Sequence, residues 1–219
     1  MNDVDSAKLS VDIWSDIACP WCFIGKRRFE KAVEEFGTDR VDVTFHSFEL
    51  APDTPADFAG SEIDFLVKHK GMGADQVKKM LGQVTTIAAS EGLNYDFESL
   101  QHTNTVLAHQ ALHFAKSAGK QAELKERLLA AYFEEGRHVG RVDELVALGE
   151  DVGLDGAGLR DALESGVYLD AVEQDISQAQ ALGVSGVPFF VINNKYGVSG
   201  AQESQNFLAV LNQIADEEQ

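Results

Sequence analysis

Two residues in this sequence have the type and spacing to exchange electrons with a substrate: Cys19 and Cys22, in the run Asp16-Ile17-Ala18-Cys19-Pro20-Trp21-Cys22. The run leads from an alternating apolar segment into one with helical periodicity. Pro20 suits a first helical position, because the N–H it lacks is one that a helix start leaves unpaired. This predicts Cys19 at the helix cap and Cys22 one turn inside. Residues three apart on a helix lie about 5–6 Å from each other, close to the Cα spacing of a disulfide. Free N–H groups and the positive end of the helix dipole favour the thiolate at Cys19. Cys22, set deeper, is expected to stay a protonated thiol until Cys19 has formed a mixed disulfide. Cys19 is then the attacking nucleophile and Cys22 the resolving thiol. Taken alone, a C-x-x-C pair is open to redox, metal-binding and packing readings. The chain has no further cysteine, a structural zinc site needs two more ligands at matching spacing, and a secreted scaffold needs more bridges. With the strand-to-helix context, the redox reading is favoured.

A second element lies far downstream, in Gly183-Val184-Ser185-Gly186-Val187-Pro188-Phe189-Phe190-Val191. A proline directly before a strongly apolar strand suits a tight turn, and such turns are where cis prolines occur. Gly183-x-x-Gly186 is not a phosphate loop, since no Gly-Lys-Ser/Thr follows. His109 and His113 have a metal-ligand spacing, but no carboxylate or cysteine stands at an obvious partner position, so they read as structural and no metal is expected.

The elements that must position these residues follow from periodicity. Leu9 to Asp16 alternates as a strand, the segment after Pro20 is helical, and Val41 to His46 alternates again. Pro52 and Pro55 mark a loop. From about Asp57 to Ala181 the chain is almost entirely helical, with leucine stripes such as Leu124, Leu128 and Tyr132. Strands return at Pro188–Ile192 and Tyr196–Ser199, joined by a turn at Asn193-Asn194, and a last helix runs from about Gln202 to Ile214. Removing the helical block leaves a βαβ unit followed by a ββα unit. The expected organisation is one domain over 9–52 and 182–219, interrupted by a helical insertion over 53–181.

Composition bounds the function. With 219 residues, 44% of them hydrophobic and 25% charged, the chain can bury a sizeable core without disulfide staples. Eighteen Lys and Arg against 36 Asp and Glu leave a formal charge of −18. Such a surface repels phosphate backbones and anionic lipid, so neither a nucleic-acid nor a membrane partner is expected. No apolar run reaches the roughly 18 residues of a membrane span. Met1 to Lys8 shows neither a basic nor an apolar leader segment, which points to the cytoplasm.

Together the motifs resemble the thioredoxin superfamily, and within it the DsbA family and its cytoplasmic FrnE-like branch of dithiol-disulfide oxidoreductases. Beyond Cys-Pro-Trp-Cys, the likeness rests on Phe48-Glu49-Leu50, on Asn104-Thr105 with His109, and on Ala131-Tyr132-Phe133 with Gly136. Gly186 to Val191, Tyr196 and Val198 to Gln202 complete it. The resemblance implies an α/β thioredoxin-like fold, a central mixed sheet flanked by helices, carrying a large helical insertion. It also implies a cis bond at Val187-Pro188 packed against the Cys19–Cys22 pair, with the Val187 backbone pairing with an extended substrate. Pro20, Trp21 and Phe48 are expected at the substrate rim, with His109 and Asn104 lining the cleft. One departure stands out. Many relatives carry a buried acid six residues before the nucleophile, where this chain has Ile13. Strand alternation puts Asp12 and Asp16 on the opposite face, so no buried carboxylate is assigned, Asp16 is only a candidate, and water or a neighbouring side chain must take the proton.

The function implied is thiol-disulfide exchange on disulfide-bearing or partly unfolded proteins, without a cofactor. A small thiol such as glutathione, or a reductase, would supply electrons. In a reducing compartment this suits reduction or isomerisation better than net oxidation. Two other classes compete. Relatives on the same fold act as glutathione-dependent isomerases or transferases of small aromatic compounds, but typically with serine in place of Cys19. A redox-independent chaperone or binding module would be indifferent to loss of both cysteines.

Overall fold

Alternating apolar residues give β1 (Leu9–Ser15), and Pro20 opens α1 (Pro20–Phe36) with Cys19 at its cap. A short turn leads into β2 (Val41–Ser47). Seven helices follow: α2 (Glu62–Lys70), α3 (Ala74–Ser90), α4 (Val106–Ser117), α5 (Gln121–Phe133), α6 (Val142–Asp151), α7 (Gly156–Ser165) and α8 (Leu169–Ala181). The chain then returns through β3 (Phe189–Ile192) and β4 (Tyr196–Ser199) to α9 (Ser204–Glu217). This computed structural model describes residues 8–217. Residues 1–7, which carry the reading of a missing leader, and residues 218–219 lie outside them. Among the described residues no helix is long and apolar enough to cross a membrane.

The sheet order is β2-β1-β3-β4, with β1 parallel to β2 and antiparallel to β3, and β3 antiparallel to β4. It is the expected mixed sheet, flanked by helices and interrupted by a helical insertion. The helical run begins at Glu62 rather than near Asp57 because Ser61 is the residue that can cap it. Its hydroxyl accepts from the Asp64 N–H while the Asp64 carboxylate accepts from the Ser61 N–H. The β3–β4 turn passes through Asn193 and Asn194, both at positive φ, a conformation asparagine tolerates.

Helix α1 belongs to two cores at once. Phe29, Ala32 and Phe36 pack with Val11, Ile13, Phe190 and the α9 residues Phe207 and Leu211 on one face of the sheet. The first turn of the same helix sends Phe23 and Ile24 into the helical core, among Leu124, Leu128, Tyr132 and Leu148. Ion pairs fix the join: Arg27 and Lys26 meet Glu126 of α5, the latter at 2.6 Å, and Arg28 meets Glu91 at 2.6 Å beyond the end of α3. Helix α5 also reaches the sheet directly. The Gln121 side chain accepts from the Phe45 N–H at 3.0 Å and donates to the Phe45 carbonyl at 2.8 Å.

A second clamp ties α8 and α4 to the sheet. His46 of β2 lies between Asp12 Oδ1 (2.7 Å) and Asp175 Oδ1 (2.8 Å), and stacks on Trp14. Asp175 Oδ2 also accepts from the Ser47 N–H at 2.8 Å and lies 3.1 Å from His113 Nε2. Burial opposes charge on His46, but its hydrogen bonds to the Asp175 and Asp12 carboxylates outweigh it and raise its pKa. Burial likewise opposes charge on Asp175, and His113, His46 and the Ser47 N–H outweigh it, so its pKa falls. The raised histidine contributes stability that is complete below its ordinary 6.5 and lost as pH rises through the raised value. The lowered aspartate contributes stability present above its ordinary 3.8 and lost as pH falls through the lowered value. The clamp is therefore strongest between those two ordinary values.

Two outcomes follow for urea unfolding. A Cβ at Gly25 of α1 would come within 2.9 Å of the Pro188 ring and 3.3 Å of Ala201, whereas one at Gly82 of α3 meets nothing. Gly25→Ala is expected to lower stability by about 1–2 kcal/mol despite the helix propensity gained, and Gly82→Ala to raise it by about 0.5–1 kcal/mol. Asp175→Ala is expected to cost about 2 kcal/mol at pH 6, and less as pH rises through the raised His46 value.

Candidate active site

The register of β1 with β3 sets Trp14 opposite Phe189, so the residues just beyond each strand end meet across the sheet. One end continues as Asp16-Ile17-Ala18-Cys19; the other arrives as Gly186-Val187-Pro188. The Val187–Pro188 bond is cis, as the resemblance implies. The Cys19 thiol donates to the Val187 carbonyl at 3.5 Å. Cys19 is the cap of α1 with no side-chain bond to the helix N–H groups, and both cysteines are free and buried. The expected orientation toward those N–H groups is thus not the one seen. A protonated thiol needs an acceptor, and the helix start offers only donors. Cys22 lies one turn inside, where burial and contact with Cys19 push its thiol well above the ordinary range.

The largest departure from the sequence reading concerns Asp16. The strand stops at Ser15, so alternation no longer governs Asp16, which turns inward and is only 1% exposed. A buried carboxylate therefore does stand beside the cysteines, contrary to expectation. Its Oδ1 accepts from Thr105 Oγ1 at 2.8 Å, lies 3.3 Å from His109 Nε2 and 3.4 Å from the Ala18 N–H, and Oδ2 accepts from the Leu50 N–H at 2.8 Å. Burial opposes its charge, yet His109, Leu50 and Thr105 together hold it below the usual carboxylate range. Asp16 is a saturated anion and a weak base.

A cavity of about 430 Å³ opens beside Cys19, between the Asp16–Trp21 segment, Val187 and the apolar faces of α2 and α3. Phe65, Leu66, Met80, Leu81 and Val84 form its far wall, and the Glu62–His102 pair (2.7 Å) its polar corner. Of the residues expected from sequence, Cys19, Pro20, Trp21 and Val187 line it, with Trp21 at 37% and Leu50 at 43% exposure near the mouth. Cys22 and Pro188 lie outside its lining, and so do three residues expected at the rim or in the cleft. Phe48 packs instead against Trp14, Val184 and Val191 on the far side of Val187. His109 is fully buried and spent on Asp16. Asn104 bonds the Pro52 carbonyl at 2.9 Å and the Val106 N–H at 2.8 Å, so it ties the loop after β2 to the start of α4.

Sequence reading also missed two groups behind the cysteines. Tyr95, buried, donates its hydroxyl to the Pro20 carbonyl at 2.6 Å. Lys125 of α5 is fully buried, and its ammonium nitrogen has no hydrogen-bond partner among the described residues. A signal for Lys125 existed: it occupies a slot of the stripe formed by Leu128, Leu129 and Tyr132, where helical spacing calls for an apolar side chain.

This arrangement has close parallels. A family profile described as the DSBA-like thioredoxin domain matches residues 10–212. A probable DsbA oxidoreductase from Streptomyces coelicolor superposes with a TM-score of 0.89 at 39% identity, covering 96% of this chain and 91% of that one. The uncharacterized protein YwbO of Bacillus subtilis (strain 168) is 34% identical over 188 residues, which are 84% of this chain and 86% of the relative. The cytosolic disulfide reductase DsbM of Pseudomonas aeruginosa, solved with GSH, shares the fold with a TM-score of 0.66 at 20% identity, over 93% of this chain and 98% of that one. A match spanning nearly the whole described chain, over a sheet of this order with a helical insertion, establishes that the chain belongs to the DsbA-like thioredoxin-domain family.

Proposed function

We propose that the protein is a thiol-disulfide oxidoreductase or isomerase acting on protein disulfides, with Cys19 as nucleophile and Cys22 as resolving thiol. The observation that carries this reading is the placement of the Cys19 sulfur at a helix start, against the Val187 carbonyl and at the edge of an apolar cavity, with Cys22 buried behind it. The Cys19 thiolate attacks a substrate disulfide, one substrate sulfur leaves, and a mixed disulfide forms. Cys22 then attacks Cys19, releasing the second substrate thiol and closing the Cys19–Cys22 bond. Pro188 closes the site over the pair, and the Val187 backbone is suited to strand-like pairing with an extended, partly unfolded chain. Pro20 and Trp21 form the near side of the mouth. The insertion, which we place at residues 53–181 between the parts 9–52 and 182–219, supplies the cavity's far wall.

In this reading no cofactor takes part, and a small thiol such as glutathione or a reductase restores the dithiol. In the cytoplasm, where we place the protein, the dithiol form dominates, so reduction or isomerisation is the expected direction. One observation favours a second reading. The cavity has the size of a small-molecule site, which suits a glutathione-dependent isomerase or transferase of small aromatic compounds.

Cys22→Ser is expected to accumulate a stable mixed disulfide at Cys19 with a disulfide-bearing protein, and Cys19→Ser to form none; the products are resolved by mass after acid quenching. Adduct formation at Cys22 instead would reverse the assigned roles. A glutathione titration of the wild type, followed by alkylation and mass, is expected to show one two-electron transition between about −120 and −270 mV. A lasting glutathione adduct that Cys22 never resolves would transfer the case to the small-molecule enzyme.

A further inference from the structure

Resolution of the mixed disulfide needs a thiolate at Cys22, in the most apolar part of the site. Of the charged groups there, most are already neutralised. Asp16 is saturated by Thr105, His109, Ala18 and Leu50. Lys26, on α1 one turn after Cys22, is bound by Glu126 at 2.6 Å and by Glu30. Lys125 is different. It enters from α5, which Gln121 anchors to Phe45 of β2 one turn earlier, and its nitrogen lies 5.9 Å from the Phe45 ring centre with no acceptor among the described residues. The charged and titratable groups that face it are Cys22 and Lys26 of α1, and Asp16 and Cys19 from the turn before it; His109 of α4 acts on Asp16. On either side of Lys125, Leu124 and Leu128 share a core with Phe23 and Ile24, the residues that follow Cys22, and Glu126 binds Lys26 at 2.6 Å, so α5 is fixed against the turn of α1 that carries Cys22.

We propose that Lys125 is the buried counter-charge of the Cys22 thiolate, a positioning residue that sets the rate of the resolving step. The proposal rests on the oxidoreductase reading above. In the step itself the Cys22 S–H bond breaks, and the sulfur attacks Cys19. The Cys22–Cys19 bond forms as the Cys19–substrate bond breaks, and the departing substrate sulfur carries the proton away. The dithiol is oxidised by two electrons and the substrate disulfide is reduced to two thiols. Lys125 neither gains nor loses a bond; its positive charge offsets the negative charge that develops on Cys22 where solvent cannot. Burial lowers the Lys125 pKa to about 8, with Cys22, Asp16 and Cys19 resisting, so its charge is present at neutral pH and titrates nearby.

Such a group opposes folding. Its pKa is depressed from 10.5, so the stability it withholds is missing below about 8 and is recovered as pH rises from there toward 10.5. Lys125→Met, near-isosteric and uncharged, is therefore expected to raise the melting temperature at pH 7 while slowing resolution. Stopped mixing of a preformed Cys19 mixed disulfide is expected to give decay about tenfold slower in Lys125→Met, the equivalent of one pKa unit at Cys22. The wild-type rate should rise with pH and level near 8, whereas that of Lys125→Met should climb on to higher pH. Lys125→Arg, which keeps the charge, should recover part of the rate. Unchanged decay and an unchanged pH profile in Lys125→Met, with the mixed disulfide formed normally, would overturn the counter-charge and leave the oxidoreductase reading standing. Failure of wild-type Cys19 to form a mixed disulfide would instead remove that reading. Should Lys125→Met not fold, Lys125→Gln carries the same comparison.

Discussion

The antiparallel pairing of β1 with β3 is the constraint from which the site follows. Trp14 faces Phe189 in that ladder, so Asp16 through Cys19 and Gly186 through Pro188 must emerge at the same end of the sheet, although the helical insertion separates them in the chain. A slip of β3 by one residue would reverse its faces, turning Phe190 out of the core it shares with Phe29 and Phe207. The apolar core thus holds the register, and the register holds the Val187 carbonyl against Cys19. Because α1 contributes to both the sheet core and the helical core, the turn bearing the two cysteines is fixed from two sides.

Around that turn, charge is arranged in two ways. Outside, Arg27, Arg28 and Lys26 are matched by Glu126 and Glu91 and serve to join helices. Inside, Asp16 is surrounded by donors, while the Lys125 ammonium has no acceptor among the described residues. Low dielectric makes the interior charges far more influential per unit distance than the exterior ones. The join between the helices and the surroundings of the cysteines therefore draw on different sets of charges, with α1 and α5 bordering both.

Most of this was legible in the sequence where the signal was local. Alternation located the strands to within a residue, Pro20 announced the cap, and the cysteine pair with Val187-Pro188 marked the site. The misses were all long-range. Asp16 seemed to face away because alternation was carried one residue past the end of β1, and its partners Thr105 and His109 come from the start of α4. Phe48 and Asn104 lie beside the right loops, but their side chains are used to pack and tether those loops rather than to face the cavity. Lys125 interrupts an apolar stripe, a pattern conflict visible in the sequence; its burial without an acceptor among the described residues is visible only in the fold.

One contact described for the fold has a consequence for self-association. Strand β2 lies at the margin of the sheet, where unpaired backbone groups invite a foreign strand. At Phe45 those groups are already satisfied by the Gln121 amide, a one-residue imitation of a neighbouring strand supplied by a helix. An intruding chain would have to displace it and lift α5, and with it the leucine core beneath. At Phe45 that margin is thus closed to a strand-like partner. Polymerisation through this margin is obstructed by the same helix that carries Lys125.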